Sequence, residues 1–348
     1  MLNKIYDTVA LDEEKTKLVL IDQTRLPNEE RFIALDREEA IIDAIQKLQV
    51  RGAPAIGVAA AIGLYVCACR VTENEPGRWL EIVLKIKENI SGARPTAVNL
   101  SWALNRMEAV LRAHPGSTIA ELKALLHDEA CAIRDADIEV CQAIGRNGAA
   151  LITDGDGILT HCNAGRLAAV RYGTALAPVY AAAEAGKKIR VYADETRPLL
   201  QGARLTAYEL SSAGISTTLQ CDNMAASLMA SGKIQSVFVG CDRVAANGDV
   251  ANKIGTLGVA ILANYFHIPF YVCAPISTID LSCEKGENIV IENRSPEEVA
   301  SLWYRERMAP KEVQIYNPAF DVTPHPLVTA LITEKGIWRD FERLDQLV

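Results

Sequence analysis

The chain has 348 residues, 49% of them hydrophobic, and a formal net charge of −8. At roughly 150 residues per domain this is material for two domains with sizeable cores. The acidic balance excludes binding driven by a basic face, whether to nucleic acid or to an anionic membrane surface.

The opening stretch MLNKIYDTVALDEEK is charged and lacks an apolar core segment, so it does not read as a signal peptide. Residues 17–22 and 30–35 flank a Pro27-Asn28 turn and read as a short hairpin. From Asp36, which can cap a helix running through residue 49, Ile41, Ile42, Ile45 and Leu48 share one face. Arg51-Gly52-Ala53-Pro54 interrupts this pattern, and a helix of small residues follows over 55–70. That apolar window is short for a membrane span and reads as a buried helix. Helical patterns recur at 77–89, 96–113 and 118–151. Residues 1–150 are therefore expected to form a mostly helical domain with a small β-sheet.

The Asp154-Gly155-Asp156-Gly157 turn changes the rhythm. Short apolar strands at 158–161, 189–193, 217–221, 237–240 and 270–273 alternate with helical patterns. Such alternation predicts an α/β domain over 151–348, built on a doubly wound parallel sheet. A further strand at 289–291 and a last helix at 338–347 complete the expectation. The stretch 236–275 reads as a strand, a long polar loop, a helix and a second strand. That loop, with Asp242, Arg243, Asn247, Asp249, Asn252 and Lys253, carries more ionisable residues than a connection requires.

Nine cysteines are scattered without C-x-x-C pairs or metal-ligand spacing. They read as reduced thiols of a cytoplasmic protein, most of them core residues.

The predicted strands end in polar clusters: His161-Cys162-Asn163-Ala164-Gly165, Asp194-Glu195-Thr196-Arg197, Asp222-Asn223 and Cys241-Asp242-Arg243. A parallel sheet gathers such ends along one edge, where ligands bind. Cys162, in a polar turn at a helix start, reads as a thiol of lowered pKa, usable as base or nucleophile. Asp242 is an acid if desolvated, or a fixed carboxylate if paired with Arg243. Asp222 and Asn223 read equally well as helix caps. His161 is ambiguous, whereas His114, His127, His267 and His325 read as structural. Arg51-Gly52-Ala53 and Ser91-Gly92-Ala93-Arg94-Pro95 each precede a helix and can cradle an anion, with Gln201-Gly202 and Asn252-Lys253 as further members. No G-x-G-x-x-G follows the first strand of the second half, and no P-loop or Gly-x-Ser-x-Gly elbow is present.

Six stretches together, RGAPAIGVAAA, SGARPTAVNL, LTHCNAG, VYADETRPLLQGARLTAYEL, DNMAASLM and GCDRVAANGDVANKIGTLGVAILAN, resemble the methylthioribose-1-phosphate isomerase family of methionine salvage. The wider superfamily includes ribose-1,5-bisphosphate isomerases and regulatory subunits of the eukaryotic translation-initiation exchange factor. The resemblance implies a small N-terminal domain, a Rossmann-like C-terminal domain, a homodimer, a small sugar phosphate as substrate, and no metal or cofactor. It implies Cys162 and Asp242 as the catalytic pair, and Arg51, Gly52, Ala53, Arg94, Gln201, Asn252 and Lys253 as substrate- and phosphate-binding positions. Arg51 and Arg94 are expected to join the strand-end residues in one site. The small residue before the aspartate departs from the family pattern, being Cys241 here. Three alternatives are a 5-deoxyribose 1-phosphate isomerase, a ribose-1,5-bisphosphate isomerase with a second anion site, and a non-catalytic sugar-phosphate-binding subunit. The last has no use for a Cys–Asp pair.

Overall fold

The computed structural model describes residues 6–94 and 97–348. The chain divides into two compact units. One comprises the described residues up to Cys141 together with Arg166–Gly173, and the other Gln142–Gly165 with Thr174–Val348. The exchange between them thus falls inside a helix, and residues 166–173 return to the first unit.

In the first unit, β1 (Val9–Leu11), β2 (Leu18–Ile21) and β3 (Phe32–Leu35) form an antiparallel sheet in that order. The hairpin read from the sequence is β2–β3, to which the structure adds β1. Five helices follow: α1 (Glu38–Gln46), α2 (Ala53–Arg70), α3 (Pro76–Ser91), α4 (Val98–Ala113) and α5 (Ile119–Ala149). Helix α1 is shorter than expected, and Asp36 does not cap it. Arg37 takes the N-cap position without a side-chain bond, while Asp36 pairs with Arg70 at 3.1 Å. Pro95 and Thr96, the end of one expected anion turn and the start of the expected fourth helix, lie outside the described residues.

Helix α2 is long and apolar enough to cross a membrane by length and composition. Its residues from Ala55 to Ala68 are nevertheless buried in a core with Leu18, Leu20, Ile41, Trp79 and Leu104. Small side chains explain the close packing. A Cβ on Gly57 would stand 2.9 Å from the Asn99 carbonyl oxygen of α4. Burial of each large apolar side chain contributes about 1.5–3 kcal/mol relative to exposure.

In the second unit the strands are β4 (Gly157–Thr160), β5 (Arg190–Asp194), β6 (Ser216–Gln220), β7 (Ser236–Val239), β8 (Arg243–Ala245), β9 (Val250–Lys253), β10 (Phe270–Cys273), β11 (Ile279–Asp280), β12 (Phe320–Thr323), β13 (Ala330–Thr333) and β14 (Gly336–Trp338). Helices α6 (Ala177–Glu184), α7 (Ala207–Ser212), α8 (Ala225–Ala230) and α9 (Thr256–Tyr265) connect the strands of the main sheet. That sheet has the order β14-β13-β10-β7-β4-β5-β6, parallel except for β14. This is the doubly wound expectation, and the five expected strands stand within a residue or two of their places. Leu159, Val237, Val239, Val272 and Leu331 fill its core.

Three details differ from expectation. The polar loop after β7 is the β8–β9 hairpin, turned at Asn247-Gly248 and joined to β11 and β12 in a second, four-stranded sheet. No strand forms at 289–291; Gly286–Asn288 is a single 3₁₀ turn and Val290 is almost fully exposed. The expected last helix is β14 followed by 3₁₀ turns over Phe341–Gln346, because Asp340 caps a new start by accepting from the Glu342 amide.

Two predictions concern these units. Gly258 lies exposed in α9, where a Cβ meets nothing within 4 Å. Gly258→Ala is expected to stabilise by about 0.5–1 kcal/mol, and Gly57→Ala to destabilise by at least about 1 kcal/mol, in thermal or urea melts. Asp137 accepts a hydrogen bond from the Val170 amide at 2.8 Å, yet desolvation raises its carboxyl to about 6. The folded chain therefore keeps a proton that the unfolded chain releases near pH 4. Stability should fall on the order of 1–2 kcal/mol as pH rises from about 4 to about 6, then level off. Asp137→Asn should flatten that slope in urea melts taken across this range.

Candidate active site

Strand order places the site. The chain steps from β4 to β5 to β6 on one side, then returns to lay β7 against the other side of β4. In open parallel sheets ligands bind beyond the carboxyl ends of the strands, where the winding direction reverses. Leu159 of β4 pairs with Val237 of β7. Cys162 and Gly240 therefore stand equally far beyond that register, with Asp242 two residues on. A Cβ on Gly240 would meet the Ala164 Cβ at 2.6 Å, so only glycine lets the two strand ends close up. Cys162 and Asp242 thus leave adjacent strands at the switch point.

Cys162 is partly buried and has φ 64°, a left-handed conformation costing about 1–3 kcal/mol for a non-glycine residue. Two threonines hold it there. The Cys162 amide donates to Thr196 Oγ1 at 2.8 Å, and Thr206 Oγ1 donates to the Cys162 carbonyl at 2.7 Å. Thr196 is itself left-handed, φ 63°, and its amide and that of Arg197 each donate to the Asp222 carboxylate at 2.7 Å. Asp222 is thus a brace between strand ends. The helix start expected at Cys162 is not found: the chain enters only a three-residue 3₁₀ turn, Arg166–Ala168.

Next to Cys162, Asn163 is buried and donates to Thr206 Oγ1 and to Glu209. Glu209 of α7 is fully buried and also accepts from Tyr180 Oη at 2.8 Å. Gln201 caps a π-helical turn, Gly202–Thr206, which delivers Thr206 to Cys162. A Cβ on Gly202 would overlap the Asp194 carbonyl at 1.6 Å. Such π-turns recur at functional sites. Gln201 is buried, and its Oε1 has no hydrogen-bond partner.

On the β7 side, the Asp242 amide donates to the Ala251 carbonyl at 2.9 Å, which ties Asp242 to β9. Arg243 pairs with Asp280 at 3.4 Å, so its guanidinium has a carboxylate other than Asp242. Burial and the charge of Asp242 push the Cys241 thiol far above its ordinary value, leaving it unreactive beside the site. Asn252 and Lys253, expected in a loop before a helix, are buried in β9. Asn252 Nδ2 donates to Thr256 Oγ1 at 3.0 Å. Lys253 Nζ donates to the Ala319 carbonyl at 2.9 Å and lies over the Phe320 ring.

In the first unit, Gly52 caps α2 with φ 90°, where a Cβ would overlap the Ala168 backbone at 2.4 Å. Ala53 opens α2, and Arg51 Nε donates to Gln23 Oε1 at 3.2 Å. Arg94 is partly buried just beyond the Gly92 C-cap of α3, and its carbonyl accepts from the Ala97 amide.

His161 is buried rather than ambiguous. Its Nδ1 faces Asp194 Oδ2 at 3.0 Å and its Nε2 faces the Ile254 carbonyl at 2.9 Å. Burial opposes a charged ring, but the bond and charge of Asp194, with Asp222 behind it, prevail and raise the His161 pKa. Burial also lifts the Asp194 carboxyl against the pull of His161. The Ile254 carbonyl requires a proton on Nε2, and one further proton is shared across the contact between Nδ1 and Asp194 Oδ2. Ligand atoms of His161, Asp194 and Asp222 lie within 4.8 Å of one another, a spacing a metal ion could bridge. All of them are engaged instead: Asp194 Oδ1 accepts from Gln220 Nε2 at 2.7 Å, and Asp222 is spent on two amides. The donor set is one of hydrogen bonds, not of metal ligation.

Thr196, Thr206 and Glu209 went unnoticed in the sequence as supports of Cys162. Glu209 had a signal, a carboxylate in the short helical stretch TAYEL between apolar neighbours.

The initiation factor 2 subunit family matches residues 49–340, and the chain belongs to that family. Within it, the chain is 60% identical over 95% of its length to a methylthioribose-1-phosphate isomerase of Parabacteroides distasonis, covering 98% of that protein. It is 52% identical over 94% of its length to a 5-deoxyribose 1-phosphate isomerase of Clostridium botulinum, of which it covers 94%. Among solved structures, the 5-methylthioribose 1-phosphate isomerase of Pyrococcus horikoshii OT3 superimposes with a TM-score of 0.94 at 42% identity, over 99% of this chain and 96% of that one. The A. fulgidus structure described as translation initiation factor eIF-2B, subunit delta, reaches 0.89, also at 42% identity, over 97% of each chain.

Proposed function

We propose that this chain is an aldose–ketose isomerase converting 5-methylthioribose 1-phosphate to 5-methylthioribulose 1-phosphate in methionine salvage. The observation that carries the reading is that Cys162 and Asp242 follow the two neighbouring strands that flank the switch point. They stand in a chain 60% identical to an isomerase of that name. A non-catalytic subunit has no use for the pair.

The chemistry explains the residue types. An aldose 1-phosphate is locked as a ring, because the anomeric oxygen carries the phosphate. Asp242 gives a proton to the ring oxygen and opens the ring. Cys162 as thiolate then takes the C2 proton, giving an enolate-like intermediate; the thiol returns that proton to C1 as the 2-hydroxyl proton passes to the Asp242 carboxylate, which leaves the C2 ketone and restores both groups. Each proton transfer is worth roughly 10²–10⁴-fold. A hydride shift from C2 to C1 is the competing route, with Cys162 then serving the hydroxyl protons. Arg51, Gly52, Ala53, Arg94, Gln201, Asn252 and Lys253 hold substrate and phosphate by resemblance. Gln201 Oε1, buried without a partner, is free to accept from a sugar hydroxyl. Neither route calls for a metal or nucleotide cofactor. The thiols fit a reducing cytoplasm, where the enzyme works as a homodimer.

The 52% identity to 5-deoxyribose 1-phosphate isomerases supports a second reading, in which the substrate carries a plain methyl as its C5 in place of the methylthiomethyl group.

Cys162→Ser should abolish turnover of 5-methylthioribose 1-phosphate, followed by NMR, while binding by calorimetry changes less than about tenfold; substantial residual turnover would remove Cys162 as the base. Arg94→Ala should raise KM about tenfold or more with a smaller change in kcat, as loss of a charged phosphate contact predicts. An unchanged KM would take Arg94 out of the phosphate site.

A further inference from the structure

We propose that His161 is a positioning residue whose imidazolium, strapped between Asp194 and the Ile254 carbonyl, sets the spacing between Cys162 and the substrate grips Asn252 and Lys253. The inference rests on the functional reading above in taking those residues as base and grips.

The need for a strap comes from topology. Cys162 follows β4 in the seven-stranded sheet, whereas Asn252 and Lys253 belong to β9 in the four-stranded sheet. No ladder joins β4 to β9, so backbone pairing does not fix their separation. Asp242 has its own tie, through its amide to the Ala251 carbonyl. For Cys162 the tie is its neighbour His161, whose Nε2 meets the carbonyl next to Lys253 at 2.9 Å.

With Asp194 ionised, the strap works only as a doubly protonated ring. A neutral imidazole has one N–H and would set a lone pair against either the Asp194 carboxylate or the Ile254 carbonyl. Ring and carboxylate are both buried, at 1% and 0% exposure, so neither has water as a substitute partner. The charged groups around the ring are Asp194 from β5, Asp222 beyond β6 and Asp321 of β12, all acidic. Asp321 clamps the other side of the junction, accepting from the Gly255 amide at 2.7 Å and the Leu257 amide at 3.1 Å. The ring also packs on Gly255, φ 102°, where a Cβ would come within 2.8 Å of it. Loss of the shared proton sets the Nδ1 lone pair against the Asp194 carboxylate, frees the ring to turn and loosens its hold on the Ile254 carbonyl, and slows turnover at alkaline pH.

Two substitutions separate the ends of the strap. His161→Asn keeps a donor where Nδ1 faces Asp194 and loses the Ile254 bond. His161→Gln carries its amide to the Nε2 position and keeps that bond. We expect His161→Asn to lower kcat/KM by about 10- to 100-fold, with a rise in KM, and His161→Gln to lower it several-fold less. Asp194→Asn should move the alkaline limb of the kcat profile down by about one pH unit or more. Ring ¹⁵N NMR of the full-length protein labelled at histidine should show one imidazolium persisting above pH 8. Equal losses in the two His161 variants, an unmoved limb, or a ring with a single N–H at pH 7 would overturn the inference. If circular dichroism shows that either His161 variant does not fold, the wild-type NMR titration and the Asp194→Asn profile decide. The NMR result is independent of turnover. Wild type inactive on every sugar phosphate would refute the functional reading and leave the state of the ring to be judged alone.

Discussion

Everything at the site depends on β4 and β7 lying side by side. They are separated by some eighty residues and by two intervening strands, yet they are neighbours because the sheet reverses its winding between them. Parallel strands all present their carboxyl ends at one edge. Only at the reversal do the following segments diverge to opposite faces and leave room between them. Cys162 and Asp242 follow the two strands that meet there, and Gly240 against Ala164 shows how tightly the two strand ends approach.

The polar residues behind the pair are held by burial and mutual bonding. Thr196 and Thr206 grip the left-handed Cys162 backbone from two sides, and Asp222 and Glu209 grip those threonines' surroundings in turn. Each buried donor or acceptor left unpaired costs about 1–3 kcal/mol, so such a network resists rearrangement. Gln201 Oε1, buried without a hydrogen-bond partner, stands apart from that network. The thiols that follow β7 and β4 sit in different surroundings. Cys241 is driven neutral by burial and by Asp242, while Cys162 sits in a polar turn of amides and hydroxyls.

Much of this was legible in the residues because local rules decide it. The parallel strands are short apolar runs with polar stops, so their ends and the Cys162 and Asp242 clusters stand out. The order of those strands is a tertiary fact, and no local pattern carries it. The β8–β9 hairpin hid among charged residues, although Asn247-Gly248 is a turn signal that could have exposed it. The apolar run at 289–291 lacks a neighbour to pair with, and Val290 remains in solvent. Asp36 looked like a cap, but its pair with Arg70 at the far end of α2 competes for the same carboxylate. The role of His161 was illegible because its partners come from β5 and from the turn before α9, remote in sequence.

Membership of the initiation factor 2 subunit family does not by itself separate catalysis from regulation, since structures described as isomerase and as initiation factor both lie at 42% identity. The group carried at C5 is what distinguishes the candidate substrates: a methylthio group, or the bare C5 methyl of a 5-deoxy sugar, suits apolar surroundings, whereas a 5-phosphate needs a second set of cations. The most direct measurement is kcat/KM of the purified protein on the 5-methylthio, 5-deoxy and 5-phospho sugars, each as its 1-phosphate. The account predicts the highest value for the 5-methylthio sugar, with the 5-deoxy sugar next. A preference for the 5-phospho sugar, or no turnover of any, would contradict it.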